Sequence, residues 1–443
     1  MDIRFRLLKL FNLILMTLPI AYVWQHYYAG IANTNYYFWG NVGVVLLFTV
    51  VYMLYTRTYD ALQVGFVRLG EVFYGQVLAA IFADGFWYVV ICLLSKKYPA
   101  LWWLLGALGV QIILAFLWSR LSHVWYYSTH KPLPTMVIYD EREGMDALIG
   151  KYGMSRTFKV ERTVTIKEIL EHKEYFNGIK AIFLSGVHSH DRNIILKIGV
   201  EKNISCYIIP RIGDTIVNSA VQMHMFHLPI LRVGRYRPKA EYIVAKRVFD
   251  IFSSGIVLVL ISPIFLMTAL AIKLQDGGPV FYQQTRLTKD GKTFGVLKFR
   301  SMRVDAESDG VARLSSGEND DRITPVGKFI RKCRIDELPQ LLNIIGGSMS
   351  VVGPRPERPE IAAQYEKTMP EFKLRLQAKA GLTGYAQVYG KYNTTPYDKL
   401  LMDLMYIAKP SFFEDLRIIF ATIKILFVGE STEGVEKGKV TAE

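Results

Sequence analysis

The chain has 443 residues, 51% of them hydrophobic and 13% aromatic, with a formal charge of +14. A mean hydropathy of +0.20 argues against a soluble protein and for a membrane protein of two or three units. The positive balance suits an anionic lipid surface or phosphorylated substrates; nucleic acid is excluded as a partner, because no aromatic-interleaved basic stripe lies outside the apolar runs. Cys92, Cys206 and Cys333 lie far apart without CxxC spacing, which leaves no disulfide framework or structural zinc site and fits a reducing compartment.

Arg4, Arg6 and Lys9 precede an apolar run with no small-residue cleavage site behind it, so the segment reads as a retained helix, not a signal peptide. Leu10–Tyr28, Tyr37–Tyr55, Val72–Leu94 and Leu101–Trp118 each approach the ~20 residues that span a bilayer. Trp24, Tyr27, Tyr28, Tyr36, Tyr37, Trp102 and Trp103 fall near their ends, where amphipathic rings prefer the interface. Residues 1–125 are therefore predicted to form an α-helical membrane bundle of four spans. Arg4, Arg6, Lys9, Arg57, Arg68, Arg120 and Lys131 lie on one side, against Lys96 and Lys97 on the other, which puts the N-terminus and everything after the fourth span in the cytosol. Asp84, ionisable and inside the third run, needs a partner, and an interhelical hydrogen bond is expected.

Strand-like Thr135–Tyr139, Lys159–Val164, Ala181–Leu184 and Cys206–Ile209 then alternate with polar, helix-compatible Ile166–Tyr175 and Asp191–Glu201. That is the rhythm of a parallel α/β domain, and residues 126–238 are predicted to be Rossmann-like. A dinucleotide site needs a glycine-rich turn after the first strand, so that the backbone can approach a pyrophosphate. The turn here, Tyr139-Asp140-Glu141-Arg142-Glu143-Gly144, is acidic and nearly glycine-free, so a degenerate scaffolding or regulatory domain without nucleotide is expected. His188 and His190 lack a third metal ligand and read as loop residues.

Ile251–Ile272 is apolar and almost long enough to span, but Ser262-Pro263 interrupts it. Proline removes a backbone donor and bends the helix, and the serine hydroxyl can satisfy a freed carbonyl. Arg235, Arg237, Lys239, Lys246 and Arg247 before it, and Lys273, Arg286, Lys289 and Lys292 after it, place both ends in the cytosol. A re-entrant helix over residues 247–274 is predicted; a straight fifth span would put the rest of the chain outside the cell.

Val280–Gln284 and Thr293–Phe299 read as strands of a hairpin turning at Asp290-Gly291, and the second delivers Lys298-Phe299-Arg300-Ser301-Met302. Arg322-Ile323-Thr324-Pro325 starts a helix carrying Arg331. Ile335-Asp336-Glu337-Leu338-Pro339-Gln340 and Val351-Val352-Gly353-Pro354-Arg355-Pro356-Glu357-Arg358-Pro359 follow. Lys298, Arg300, Arg331 and Arg355 are cations of the kind that clamp phosphate oxygens. Asp336 and Glu337 are adjacent carboxylates at a predicted helix N-terminus, where the dipole favours the ionised form. An ionised Asp can attack phosphorus, and a Glu can hold Mg²⁺ through oxygen.

Taken in order, the Ser-Pro-broken apolar helix, basic strand, basic helix, acidic pair and Pro-Arg-Pro loop resemble the bacterial sugar transferase family, the monotopic-type phosphoglycosyl transferases. The resemblance covers about Lys239–Phe427, and the KFRSM, DELPQ and VGPRP strings are specific in combination. The front end looks like the larger branch of that family, undecaprenyl-phosphate glucose- or galactose-phosphate transferases. The resemblance implies a catalytic α/β domain over residues 239–428 of a protein in the bacterial inner membrane, facing the cytosol. It implies that Asp336 attacks the sugar-bearing phosphate of a UDP-sugar, releasing UMP, and that undecaprenyl phosphate then takes the phosphosugar, the first step of exopolysaccharide, capsule or O-antigen synthesis. Glu337 matches the Mg²⁺ ligand, Lys298 and Arg331 match basic positions beside the dyad, and Pro354, Arg355 and Pro356 match a loop at the nucleotide end. Downstream glycosyltransferases are the implied partners, and a homodimer through the front half is compatible with it.

One position departs from the family pattern: Gly346-Gly347-Ser348-Met349-Ser350 has Ser348 where an acid is common, which bears on support of the site. Gly381-Leu382-Thr383-Gly384 suits a tight turn against ligand or protein. Asp398–Phe427 reads either as amphipathic helices in the headgroup region or as helices packed on the catalytic core; the polar tail, residues 429–443, reads as disordered. The competing functional reading is a catalytically silent membrane scaffold or regulator of polysaccharide assembly, and the intact Asp336-Glu337 pair argues against it.

Overall fold

A computed structural model describes residues 3–31, 37–235, 238–304, 322–390 and 394–426. Tyr36, Arg237, Phe427 and the 429–443 tail lie outside the described residues. The chain forms two compact units, Met1–Ile209 and Pro210–Glu443.

Helices α1 (Ile3–Val23), α2 (Phe38–Thr58), α3 (Leu69–Ser95) and α4 (Trp102–Thr129) open the first unit. They are the four helices among the described residues long and apolar enough to cross a membrane. Large apolar side chains such as Leu54, Leu93, Leu105 and Ile113 point outward, as lipid-facing positions do. The interior packs through aromatic edges: Trp24 and Phe48 meet Trp87 with centroids 5.8 and 6.3 Å apart. Polar groups join the helices, with Asn12 Nδ2 donating to Gln76 Oε1 at 3.1 Å. Asp84 is buried and faces the Gln111 side chain of α4, the interhelical partner expected of it.

The same unit continues with β1 (Leu133–Tyr139), α5 (Met145–Lys151), β2 (Phe158–Thr165), α6 (Ile166–Glu171), β3 (Ala181–Ser185), α7 (Ser189–Glu201) and β4 (Ser205–Ile208). The strands form one parallel sheet in the order β2-β1-β3-β4. Met136, Ile138, Ile182, Leu184 and Ile195 fill its core. The acidic turn after β1 is occupied by the protein's own groups: His188 Nε2 lies 3.1 Å from Glu141 Oε1. Arg68 Nη2 donates to the Lys151 carbonyl at 2.9 Å and Thr157 Oγ1 to that of Gly65 at 2.5 Å, which ties the sheet domain to the bundle.

The second unit begins with α8 (Ile212–Asn218) and an antiparallel hairpin, β5 (Val221–Met225) and β6 (Leu228–Arg232). Helices α9 (Ala240–Leu260) and α10 (Ser262–Asp276) meet at a 65° bend. Pro263 opens the new helix and Ser262 Oγ donates to the Val259 carbonyl at 2.7 Å. Phe252, Val259, Leu260, Leu266 and Leu270 are exposed around the bend. The base of α9 is fixed to the core: Arg247 caps the carbonyls of Ile344 and Ile345 at 2.6 and 2.7 Å, and Asp250 Oδ1 accepts from Val351 N at 3.0 Å.

The remaining elements are β7 (Phe281–Leu287), β8 (Thr293–Phe299), α11 (Pro325–Lys332), α12 (Gln340–Ile345), β9 (Ser350–Val352), α13 (Pro359–Thr368), β10 (Gly381–Thr383), α14 (Tyr385–Val388), α15 (Pro396–Ala408) and α16 (Phe412–Leu426). β7 and β8 form the expected hairpin, with left-handed Asp290 and Gly291 in its connection. Of the two readings of the late segment, α15 takes the packed one: Leu400, Leu404, Tyr406 and Ile407 are buried with Val352 and Phe372.

Candidate active site

The site is assembled where β8, α11, the turn before α12 and the loop after β9 converge. Thr324 caps α11 by accepting from Gly327 N at 3.0 Å. Gly327 lies so close to the Ser301 carbonyl that a side chain there would collide with it, so α11 seats directly on the segment leaving β8. Asp336 and Glu337 follow in a single 3₁₀ turn, Ile335–Glu337, entered through Arg334 in the left-handed region. The dyad thus precedes the short helix α12 instead of occupying the first turn of a regular one. Ile335 and Leu338 pack against Ile272, Phe299 and Ile330, which anchors the turn on both sides of the acids.

The two carboxylates have different surroundings. Glu337 Oε1 accepts from Lys298 Nζ at 3.1 Å and from Arg355 Nη2 at 3.2 Å. Burial opposes its charge, but Arg355, Lys298 and Arg334 outweigh that and hold Glu337 well below the usual carboxylate range. Asp336 is 9% exposed and its Oδ1 has no hydrogen-bond partner. Burial, then the charge of Glu337, push its pKa up, against the pull of Lys298, Arg331 and Arg334. The result is a strongly ionised acid clamped by two cations beside a second, desolvated one with a free oxygen.

The structure therefore brings Lys298, Arg331, Asp336, Glu337 and Arg355 together. Arg300 is not in this group: its guanidinium grips both carboxylate oxygens of Asp276, one at 2.6 Å, and its Nε donates to the Pro279 carbonyl at 2.7 Å. That pair holds the end of α10 against β8. Its hydrogen bond lowers the Asp276 pKa to about 2 from the ordinary 3.8. A depressed acid adds stability above its unfolded pKa and loses it as pH falls through the folded one. Unfolding measured between about pH 4 and 2 is expected to lose part of its acid sensitivity in Asp276→Asn. Ser262 and Pro263 sit at the α9–α10 break.

Pro354, Arg355 and Pro356 form the wall that presents Arg355. Gly353 N donates to the Thr383 carbonyl at 2.8 Å and Gly381 N to that of Pro354 at 2.9 Å, locking the loop to β10. Cβ atoms at Gly353, Gly381 or Gly384 would strike the facing backbone. Gly353→Ala is expected to destabilise the second unit by about 3 kcal/mol and to displace Arg355, which thermal unfolding with a transfer assay would detect.

Three arginines absent from the predicted site complete it. Arg334 adjoins both acids electrostatically. Arg286, counted above only as a flanking charge, donates to the Pro356 carbonyl at 3.2 Å. Buried Arg375 donates to the Arg355 carbonyl at 2.9 Å and lies 2.7 Å from Asp403. Arg334 could have been found from its adjacency to the dyad; Arg375, between the Pro-Arg-Pro loop and the Gly381-Leu382-Thr383-Gly384 turn and part of neither, carries no local signal. Ser348, the departure, is satisfied: its Oγ donates to the Asn343 carbonyl at 3.1 Å, while the Asn343 side chain accepts from Leu297 N and donates to Gly295 O, both at 2.8 Å. Asn343, held by Ser348, fixes the strand that carries Lys298.

Among the described residues no cluster of three His, Cys, Asp or Glu side chains could hold a metal. The acids still fit Mg²⁺, which commonly takes one or two carboxylates and completes its octahedron with water and substrate phosphate. The free Asp336 oxygen beside Glu337 suits that arrangement and not an all-protein cage.

Residues 241–429 match the family model described as bacterial sugar transferase. A UDP-glucose:undecaprenyl-phosphate glucose-1-phosphate transferase of Caulobacter vibrioides is 39% identical over 206 residues, 45% of this chain and 76% of that protein. The chain belongs to the bacterial sugar transferase family. An exopolysaccharide production protein, PSS, of Rhizobium leguminosarum bv. phaseoli is 43% identical over 201 residues, covering 43% of this chain and 98% of the relative. A UDP-N-acetylgalactosamine-undecaprenyl-phosphate N-acetylgalactosaminephosphotransferase of Aeromonas hydrophila is 37% identical over 51% of this chain, which spans about half, 53%, of that relative. The whole dyad region of this family member, from β7 to α16, lies inside the family match.

Proposed function

We propose that this chain transfers a hexose-1-phosphate from a UDP-sugar to undecaprenyl phosphate, releasing UMP, and so initiates the repeat unit of a bacterial polysaccharide. The observation that carries the reading is the asymmetric acid pair: a buried Asp336 with an unengaged oxygen beside a Glu337 clamped by Lys298 and Arg355. The names of the relatives support the same donor and acceptor classes.

Asp336 attacks the sugar-bearing phosphorus, the bond to the bridging oxygen breaks, and UMP leaves with that oxygen. The aspartyl-phosphosugar is then attacked by a phosphate oxygen of undecaprenyl phosphate, which forms the lipid diphosphate sugar and returns the Asp336 carboxylate. Arg331, Arg334, Lys298 and Arg355 supply positive charge where phosphate charge gathers, and a preorganised cation is worth more in a water-poor site. Mg²⁺, held by Glu337 with the free Asp336 oxygen nearby, would neutralise the diphosphate and so aid departure of UMP. Lys298 and Arg355 share Glu337 without substrate and are free to turn to phosphate when it enters.

The bent pair α9 and α10 is read as a re-entrant element, its exposed apolar elbow in one leaflet and both ends in the cytosol with the site. That geometry lets a cytosolic UDP-sugar and a lipid phosphate reach one carboxylate. The sheet domain is read as Rossmann-like and non-catalytic, since Asp140 and Glu141 would repel a pyrophosphate.

The test is UMP release by detergent-purified protein given Mg²⁺, undecaprenyl phosphate and a panel of UDP-sugars. Release with one donor identifies the sugar; no release with any donor, in membranes where a related transferase works, would sink the proposal.

A further inference from the structure

A second cationic site lies in the first unit, far in sequence from the dyad. Where the bundle meets the sheet domain there is a cavity of about 450 Å³, and three arginines line it. Arg68 precedes α3, Arg120 is on α4, and Arg156 follows α5 in the 3₁₀ turn Met154–Arg156. None of the residues lining the cavity is acidic, and among the described residues no carboxylate is ion-paired to any of the three guanidiniums. Arg68 is held by the carbonyls of Lys151 and Tyr152, and Arg156 lies 5.8 Å over the ring of Tyr127. Three like charges gathered around one space repel each other, and the N-terminal dipole of α3 adds to the positive potential. An anion with several acceptor oxygens would relieve that repulsion, and phosphate matches the arginine fork.

What lies beside the cavity indicates which phosphate. Ile113, Leu117, Leu121 and Val124 are exposed on α4 at spacings of four, four and three residues, so they form one stripe along the helix. The stripe runs along a predicted membrane span and ends at the cavity, because Val124 is one of its lining residues. A phosphate bound by the arginines would have apolar surface of membrane length leading away from it. A soluble phosphoester has no use for that surface.

We propose that this cavity binds the phosphate headgroup of an anionic membrane lipid, with its chain laid along α4. Such a ligand would join the bundle to the sheet domain, since Arg68 and Arg120 come from one and Arg156 from the other. The site makes no use of the dyad, so its test stands apart from the proposed transfer activity.

The experiment is native mass spectrometry of the full chain released from detergent, titrated with dioleoyl phosphatidic acid or, as control, dioleoyl phosphatidylcholine. Wild type is expected to retain phosphatidic acid at least about tenfold more tightly than phosphatidylcholine. Arg120→Gln/Arg156→Gln should abolish that preference while leaving Arg68 and its carbonyl bonds in place, so elution volume and thermal unfolding should match wild type. Should the double variant unfold, Arg156→Gln alone, which removes only the contact over Tyr127, should still weaken retention. Equal retention of the two lipids by wild type, or an undiminished preference in a folded variant, overturns the site. Displacement of phosphatidic acid by glycerol 3-phosphate at equal concentration overturns the lipid assignment in favour of a soluble phosphoester.

Discussion

Asp336→Asn is expected to lower UMP release by at least about 10³-fold while leaving the protein folded, because it removes a nucleophile and keeps the shape of the side chain. Asp336 Oδ1 makes no hydrogen bond, so the substitution breaks little, and thermal unfolding should change by less than about 1 kcal/mol. A variant as active as wild type would remove Asp336 from the mechanism. The surroundings of the acid add a second readout. Attack needs the carboxylate, so the rate rises as pH rises through the folded pKa of Asp336, which burial and the neighbouring Glu337 charge both push above the ordinary 3.8. The acid limb of the pH profile should therefore lie higher than an exposed Asp would set it. In Glu337→Gln the repulsive charge is gone and Lys298 and Arg355 are released, so the limb should move to lower pH even as the maximal rate falls. A limb that stays in place would separate Glu337 from the ionisation of Asp336.

The parts of this protein that obey a local rule were legible before the structure. Spans announced themselves by length and by tyrosine and tryptophan at their ends, and the sheet strands by short β-branched runs. The break at Ser262-Pro263 followed from the missing proline donor and is present, with the serine bonded as expected. The motifs also gave the right neighbours for Glu337, since Lys298 and Arg355 reach it from different segments. What was hidden depends on contacts across distant chain. Arg300 stands in a basic string that looks like a phosphate clamp, but Asp276, on another helix, claims it. The supports of the Pro-Arg-Pro loop come from β7 and from a 3₁₀ stretch, Pro370–Gln377, that carries no motif.

Arg375→Met is expected to destabilise the second unit by about 3–5 kcal/mol, because it leaves a buried acid without its counter-charge. Arg375 and Asp403 are 6% and 1% exposed and lie 2.7 Å apart. Burial already pushes Asp403 up to about 6 against the pull of Arg375, so without the arginine the acid must take up a proton or be buried charged. A raised carboxyl contributes stability at low pH that is lost as pH rises through its folded pKa. The destabilisation should therefore be larger at pH 8 than at pH 5, by chemical or thermal unfolding in detergent. A double variant, Arg375→Met/Asp403→Leu, removes both charges and should regain most of the lost stability, as apolar replacement of a buried pair often does. It should not regain transfer. Arg375 also supports the Arg355 carbonyl, and with that bond gone the loop that presents Arg355 to Glu337 has lost a fixed point. A double variant that is both stable and fully active would show that the loop holds Arg355 without help from this pair, and Arg286 at the Pro356 carbonyl would then be the support that matters.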